Sequence, residues 1–274
     1  MPAGRVVVTG TSTGIGRACV TALAAAGFDV LATVRRQADA AALTGPGVTP
    51  VLLDVTDAAA VERLAAEAGD RLAGPVNNAG FAEPGPVETM PGEQVRRHFD
   101  VMLLAPFALT RSLLPALRAG RGRVVNIGSI GGRTHPPFLA PYAAAKAGLA
   151  GFTDALRREV RPLGVRVALV EPGVVTTPIW GKGEAAGHRA ISTLPPAAEA
   201  AYGRRLRRVS AVAGAAAEHG VPPERVARAV LHALSARRPR TRYLVGTDAH
   251  LQALACAVLP DRVLDAVVAR LTRG

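Results

Sequence analysis

The sequence predicts an α/β fold built on a single doubly wound parallel sheet with helices on both faces. Three observations predict it. Short, β-branched apolar runs alternate with Ala-rich helical stretches along the chain. No linker, repeat or low-complexity segment divides the 274 residues. A glycine-rich turn joins the first apolar run to the first helical stretch, where such sheets bind ligands.

Each element follows from its residues. Arg5-Val6-Val7-Val8-Thr9 reads as a short buried strand. A helix from about Ile15 to Ala26 ends at Gly27, a good C-cap position. Strand Asp29 to Val34, a helix near Ala38 to Leu43 and strand Val48 to Leu53 follow. Asp57 is placed to cap a helix over Asp57 to Ala68. Leu72 to Asn77 is the expected fourth strand and the weakest element, because Pro75 removes a ladder donor. Glu93 to Arg118 holds one or two helices, and Arg123 to Ile127 is a clear strand. Pro141 to Arg161 is helical and Val165 to Val170 is a strand. Pro178 to about Gly220 is irregular or helical. A helix over Pro223 to Ala236, a strand over Tyr243 to Gly246 and two short helices complete the chain.

Composition excludes several classes. At 49% hydrophobic and 20% charged residues, the chain has an ordinary globular balance. Its two cysteines, Cys19 and Cys256, cannot build a disulfide framework or a cysteine zinc site. No pair among the six histidines has metal-ligand spacing, so no metal is expected. The N-terminus lacks the apolar region of a signal peptide, which predicts a cytoplasmic protein. No run of 18 apolar residues predicts a membrane span. The net charge is +12, yet the arginines are dispersed and aromatics make up only 4%, which argues against a nucleic-acid partner. Two arginine clusters, 204–208 and 237–242, read as a solvated helix face and a loop. Only two of the 33 basic residues, Lys146 and Lys182, are lysines, so each lysine position is informative.

The first turn reads Thr9-Gly10-Thr11-Ser12-Thr13-Gly14-Ile15-Gly16. Gly10, Gly14 and Gly16 let the backbone turn tightly against a pyrophosphate, and the helix N-terminus then points its N–H groups at the anion. Ser12 and Thr13 add hydroxyl donors. The turn therefore predicts a dinucleotide site on a Rossmann-type sheet. The second strand ends in Thr33-Val34-Arg35-Arg36, with no acid before Asp39. An acid would repel a 2′-phosphate and arginine pairs with one, so Arg35, assisted by Arg36, favours NADP(H) over NAD(H). In an arginine-rich chain the bland alternative is two surface arginines.

Tyr142 and Lys146 stand four residues apart and share a helix face. A cation beside a phenol favours the phenolate, so Tyr142 can exchange a proton with a carbonyl or alcohol oxygen. The other tyrosines, Tyr202 and Tyr243, have Leu206 and Thr247 at that spacing. Ser129 ends the strand Val124 to Ile127, at the edge where ligands bind, and would hydrogen-bond the same substrate oxygen.

On these stretches, together with Asn77-Asn78-Ala79-Gly80 and Pro172-Gly173, the chain resembles the short-chain dehydrogenase/reductase family over roughly residues 4–180. The tail from Tyr243 to Arg262 and the run Val30 to Arg35 look like its retinol and 17β-hydroxysteroid dehydrogenase branch. The resemblance implies hydride transfer between nicotinamide and a carbonyl or secondary alcohol, with Tyr142 as acid/base, Ser129 orienting the substrate and Lys146 on the nicotinamide ribose. It implies that Asp54 and Val55 flank the adenine and that Asn78, Ala79 and Gly80 line the cofactor. Pro172, Gly173, Val175 and Thr177 would hold the carboxamide end. Residues 1–274 would form one dinucleotide-binding and catalytic domain, with a variable substrate lid at about 178–220 and a helical tail at about 247–274. A homodimer or homotetramer is expected.

The substrate expected is a hydrophobic carbonyl or alcohol, polycyclic or steroid-like in bulk. His135, Phe138, Ile179 and Trp180 are its candidate contacts, each equally readable as ordinary packing. One position departs from the family. The run Phe99-Asp100-Val101-Met102 carries methionine where the family has an asparagine. A thioether cannot hold the water that passes protons toward the lysine. A non-catalytic cofactor-binding regulator, or a partner-binding protein on the same scaffold, is therefore the alternative.

Overall fold

The structure, a computed structural model, describes residues 4–272, without the side chains of Trp180, Lys182 and Glu184. Seven strands form one sheet in the order β3-β2-β1-β4-β5-β6-β7, with every neighbouring pair parallel. They are β1 (Arg5–Val8), β2 (Asp29–Val34), β3 (Val48–Leu52), β4 (Gly74–Asn77), β5 (Arg123–Ile127), β6 (Arg166–Pro172) and β7 (Arg242–Val245). The helices are α1 (Gly14–Ala25), α2 (Gln37–Ala41), α3 (Ala58–Ala68), α4 (Gly92–Phe99), α5 (Ala105–Gly120), α6 (Gly131–Thr134) and α7 (Ala140–Val160). They continue as α8 (Ile179–Ser192), α9 (Pro196–Ala198), α10 (Arg204–Glu218), α11 (Pro223–Ser235), α12 (Thr247–Val258) and α13 (Asp261–Thr272).

The alternation of side chains along a strand divides the core into two layers. On β1, Val6 and Val8 face Cys19, Val20 and Leu23 of α1 and Val226 and Val230 of α11. Val7 faces the other way, into the layer of Leu64 of α3, Leu113 and Leu117 of α5 and Leu156 of α7. Asp57 caps α3 as expected, its carboxylate accepting the Ala60 N–H.

Pro75 sits in a central strand despite its missing donor. It lies opposite Val7 in the β1 register, whereas the register with β5 begins only at Val76. The ladder lacks a β5 rung at the residue that could not donate one. Gly74 allows the close approach there, since a Cβ on it would stand 1.9 Å from the Arg123 carbonyl oxygen.

The stretch expected to hold one or two helices is an unbroken helix over residues 92–120. A π-helical turn, Asp100–Leu104, joins α4 to α5. By length and composition this helix would pass for a membrane span. In the fold its Leu109, Leu113 and Leu117 are buried against the sheet. Arg242, read with its neighbours as part of a solvated loop, is half-buried instead. It donates to Glu171 at 3.1 Å and to Asp154 at 2.5 Å. Glu171 also accepts both arms of Arg133, at 2.8 and 2.7 Å, so β6, β7, α6 and α7 share one ion network.

A buried polar chain ties β4 and β5 to the helices. The Asn77 amide donates to Thr110 of α5 at 3.2 Å and to the Asn126 carbonyl oxygen at 2.7 Å. Asn126 in turn donates to Thr153 of α7 at 2.8 Å. All four residues are buried, so a missing partner leaves polar groups with neither protein nor water. Asn126→Ala is expected to lower the unfolding free energy by about 2–4 kcal/mol, as measured by urea denaturation, because it strands groups on both sides.

Candidate active site

The site is assembled where the strand order reverses, between the carboxyl ends of β1 and β4. Thr9 leads the turn out of β1. Its hydroxyl accepts the N–H groups of Asn78 and Ala79, at 2.9 and 3.0 Å. The Asn78 amide returns two bonds, to the carbonyl oxygens of Thr9 and Gly10 at 2.8 and 3.0 Å. The Asn78 side chain is thus occupied in fixing the turn, which leaves its backbone to line a ligand. Thr11 is buried and bonds the Thr33 carbonyl through both its N–H and its hydroxyl, anchoring the turn to the end of β2.

Two of the three glycines of the turn are required by their backbone. Gly10 and Gly14 have φ of +69° and +58°. Gly16 is required by space, since a Cβ there would stand 2.2 Å from the Gly10 carbonyl oxygen. Thr13 precedes α1 in an extended conformation without a side-chain cap, so the first-turn N–H groups stay available to an anion. Ser12 is half-buried and Thr13 exposed beside them, and Ile15 packs against the core layer of α1.

The segment after β6 crosses to the same turn. Pro172 ends the strand, Val175 is buried and pairs with Val221, and Thr177 packs where a Cβ on Gly14 would meet its methyl at 3.2 Å. The Val174 N–H is bound by Asp248 of α12, a partner 74 residues away that no local pattern announces.

At the far end of the crevice, Arg35 and Arg36 are both exposed. Arg36 is engaged by Asp39 in a bidentate pair at 2.9 Å, which leaves Arg35 as the more available cation. Arg35 lies near Asp54. Together with the Thr56 backbone and hydroxyl bonds, its charge holds the Asp54 carboxyl below the usual carboxylate range. Val55, next to Asp54, is half-buried at the end of β3.

Ser129, Tyr142 and Lys146 converge on the carboxyl end of β5. The Ser129 hydroxyl accepts the Gly131 N–H at 3.0 Å and hydrogen-bonds the Tyr142 phenol. The tyrosine ring lies along Gly131, where a Cβ would come within 3.2 Å of Cε1. Lys146 is buried and donates to the Ile127 carbonyl oxygen at 2.7 Å. Burial pushes its ammonium down to about 8. The expected lowering of the tyrosine by this cation is not what the structure shows. Burial raises the Tyr142 phenol, and only the Ser129 bond opposes that rise. In this state the phenol is therefore held protonated.

Met102 is buried in the π-helical turn, its Sδ 3.4 Å from where a Cβ on the exposed Gly80 would stand. The thioether backs onto the Ala79-Gly80 loop with no polar group of its own to offer. The substrate candidates are less uniform. Phe138 is half-buried with φ +65°, and its carbonyl accepts the Gly85 N–H at 2.9 Å. His135 has φ +47° and is exposed, so it is not enclosed with the other candidates. Ile179 is half-buried at the start of α8, and the Trp180 side chain lies outside the described residues.

The model of the short chain dehydrogenase family matches residues 5–186. The chain is 34% identical to an NADPH-dependent 3-dehydrocapnine reductase of Ornithobacterium rhinotracheale, over 95% of this chain and 94% of that protein. It is 38% identical to retinol dehydrogenase 5 of Mus musculus, over 96% of this chain and 87% of the relative. Among solved structures, a short chain dehydrogenase from Burkholderia cenocepacia in complex with NADP superposes with a TM-score of 0.75 at 27% identity, covering all of both chains. With a Rossmann sheet, a glycine turn at its switch point and these relatives, the chain belongs to the short-chain dehydrogenase/reductase family, in its retinol dehydrogenase-like branch.

Proposed function

We propose that the protein is an NADP(H)-dependent oxidoreductase that interconverts a hydrophobic ketone or aldehyde and its alcohol. The observation that carries this reading is the convergence of Ser129, Tyr142 and Lys146 on the edge that also bears the glycine turn. The cradle suits a dinucleotide: two glycines of positive φ, a third with no room for a Cβ, and uncapped N–H groups of α1. Arg35, exposed and with no acid before Asp39, suits a 2′-phosphate. An NADPH-dependent relative and an NADP-bound neighbour support the same choice.

When bound, the nicotinamide supplies or accepts the hydride at the substrate carbon. The chain's own residues handle the oxygen. Ser129 holds it, and Tyr142 donates its proton to it in reduction or takes the proton back in oxidation. The raised phenol keeps its proton at neutral pH but is a weak acid, so donation would rely on a Lys146 ammonium on the same helix face favouring the phenolate left behind. Residues 178–220, folded as α8 to α10, would act as the lid over the substrate. The bulk and lipophilicity proposed for the substrate rest on the retinol-named relative. Met102 favours a second reading, a cofactor-binding protein without turnover, because its buried thioether offers no path for a proton toward Lys146.

Tyr142→Phe is expected to reduce turnover of a lipophilic ketone by about 10²–10⁴-fold, while NADPH binding followed by fluorescence stays within twofold (roughly). Turnover retained in the variant would sink the mechanism. NADPH binding by the wild type without turnover on steroids, quinones or retinal would move the balance to the second reading. Arg35→Ala should weaken NADPH by about tenfold and leave NADH nearly unchanged, since the guanidinium meets only the 2′-phosphate. Equal effects on both cofactors would refute that assignment.

Lys146 also sets a pH dependence. Below pH 8 its amine is protonated in the folded and unfolded chains alike, so the full cost of burying the charge is present. Above about 8 the folded chain releases a proton that the unfolded chain keeps until near 10.5, so this group makes stability rise with pH across that window. Lys146→Met should accordingly make the ligand-free protein more stable at pH 7 by about 1–2 kcal/mol in urea titrations, while abolishing turnover.

A further inference from the structure

The residues proposed for the nicotinamide end of the cofactor are held by a helix far from them in sequence. The Asp248 carboxylate, in the first turn of α12, accepts the Val174 N–H at 2.8 Å. It fills the space beside two glycines. A Cβ on Gly173 would stand 2.0 Å from Oδ2, and a Cβ on Gly246, where φ is +112°, would stand 2.3 Å from Oδ1. Gly173 is bonded to Val245 at 2.9 Å, so the turn after β6 is fixed on one side by β7 and on the other by this carboxylate. Its far end delivers Thr177 onto Gly14.

The same helix braces the serine loop. Ala249 and Ala253 of α12 pack on Ile130, the residue after Ser129, and the Ile130 N–H bonds the Pro172 carbonyl at 2.9 Å. Asp248 is the only charged anchor of this contact among the described residues, and a carboxylate at a helix N-terminus is itself favoured there. We propose that Asp248 is a positioning residue, setting the Pro172–Thr177 segment for the nicotinamide half of the cofactor. The inference rests on the NADP(H) reading above and adds to it a part for the C-terminal helix.

Isothermal titration with two probes tests it. NADPH spans the whole crevice, whereas adenosine 2′,5′-bisphosphate reaches only the end near Arg35. Asp248→Ala should weaken NADPH by about tenfold and leave the bisphosphate within about twofold. Asp248→Asn keeps an acceptor oxygen without the charge, should fall between wild type and alanine, and serves as the test where the alanine variant does not fold. If either variant weakens both probes by the same factor, or neither probe, Asp248 is a general structural residue and the inference is overturned. A wild-type protein that binds the bisphosphate but not NADPH would also overturn it. A wild type that binds neither would remove the NADP(H) reading, and the inference with it.

Discussion

At the switch point between β1 and β4, two connections leave the sheet in opposite directions, and the gap between them is where a dinucleotide must lie. Leaving that gap open removes backbone partners from both chain segments. Thr9 and Asn78 restore them across the gap, with the threonine hydroxyl accepting two N–H groups and the asparagine amide returning two bonds. The geometry of the glycine turn depends on that exchange. With the Gly10 carbonyl held by Asn78, the oxygen comes so close to Gly16 that no side chain fits there, and α1 starts at a fixed angle. Everything proposed for the phosphates is downstream of a hydroxyl and an amide that never need to touch a ligand.

The sheet and its flanking helices were legible because they depend on period and composition, which are local. The glycine turn and the Tyr142–Lys146 spacing were legible for a related reason, being short motifs whose chemistry is carried by neighbours in sequence. What escaped was set by partners far apart in the chain. Arg242 sits in an arginine-rich run indistinguishable from a solvated loop, yet its two acids, Asp154 and Glu171, arrive 88 and 71 residues away. The Asn77-Asn78-Ala79-Gly80 run stood out, but nothing in it could show that Asn77 bonds Asn126, 49 residues away, while Asn78 clamps the first turn. Pro75 looked wrong for a central strand only because a sequence cannot show which rung of the ladder is absent.

The electrostatics of the tyrosine pair were misjudged for a more instructive reason. Four-residue spacing brings two side chains to one helix face, and from that alone the cation should dominate the phenol. Spacing says nothing about how much water each group has lost. Lys146 gives one of its N–H donors to the Ile127 carbonyl and is displaced toward neutrality by burial, and the same dryness raises the phenol. On Tyr142 only the Ser129 bond opposes desolvation, and desolvation wins.

Several unfavourable features gather at one edge of the sheet. Lys146 is buried with the Ile127 carbonyl as its hydrogen-bond partner, the first turn of α1 lacks a side-chain cap, and His135 and Phe138 take the left-handed conformation that suits glycine. All lie at or beside the carboxyl edge of the sheet. The layers beneath are consistent at every level, from the valines of β1 to the satisfied asparagine chain. A fold selected for stability alone would cap the helix, replace the lysine with an apolar residue and put glycine at the two strained positions. This chain does none of these at the carboxyl edge, as expected where local cost is retained for ligand chemistry. Met102 is a buried apolar residue at the back of the same edge, its Sδ 3.4 Å from where a Cβ on Gly80 would stand, so the polar groups at the end of β5 are Ser129, Tyr142 and Lys146 with nothing added from that side.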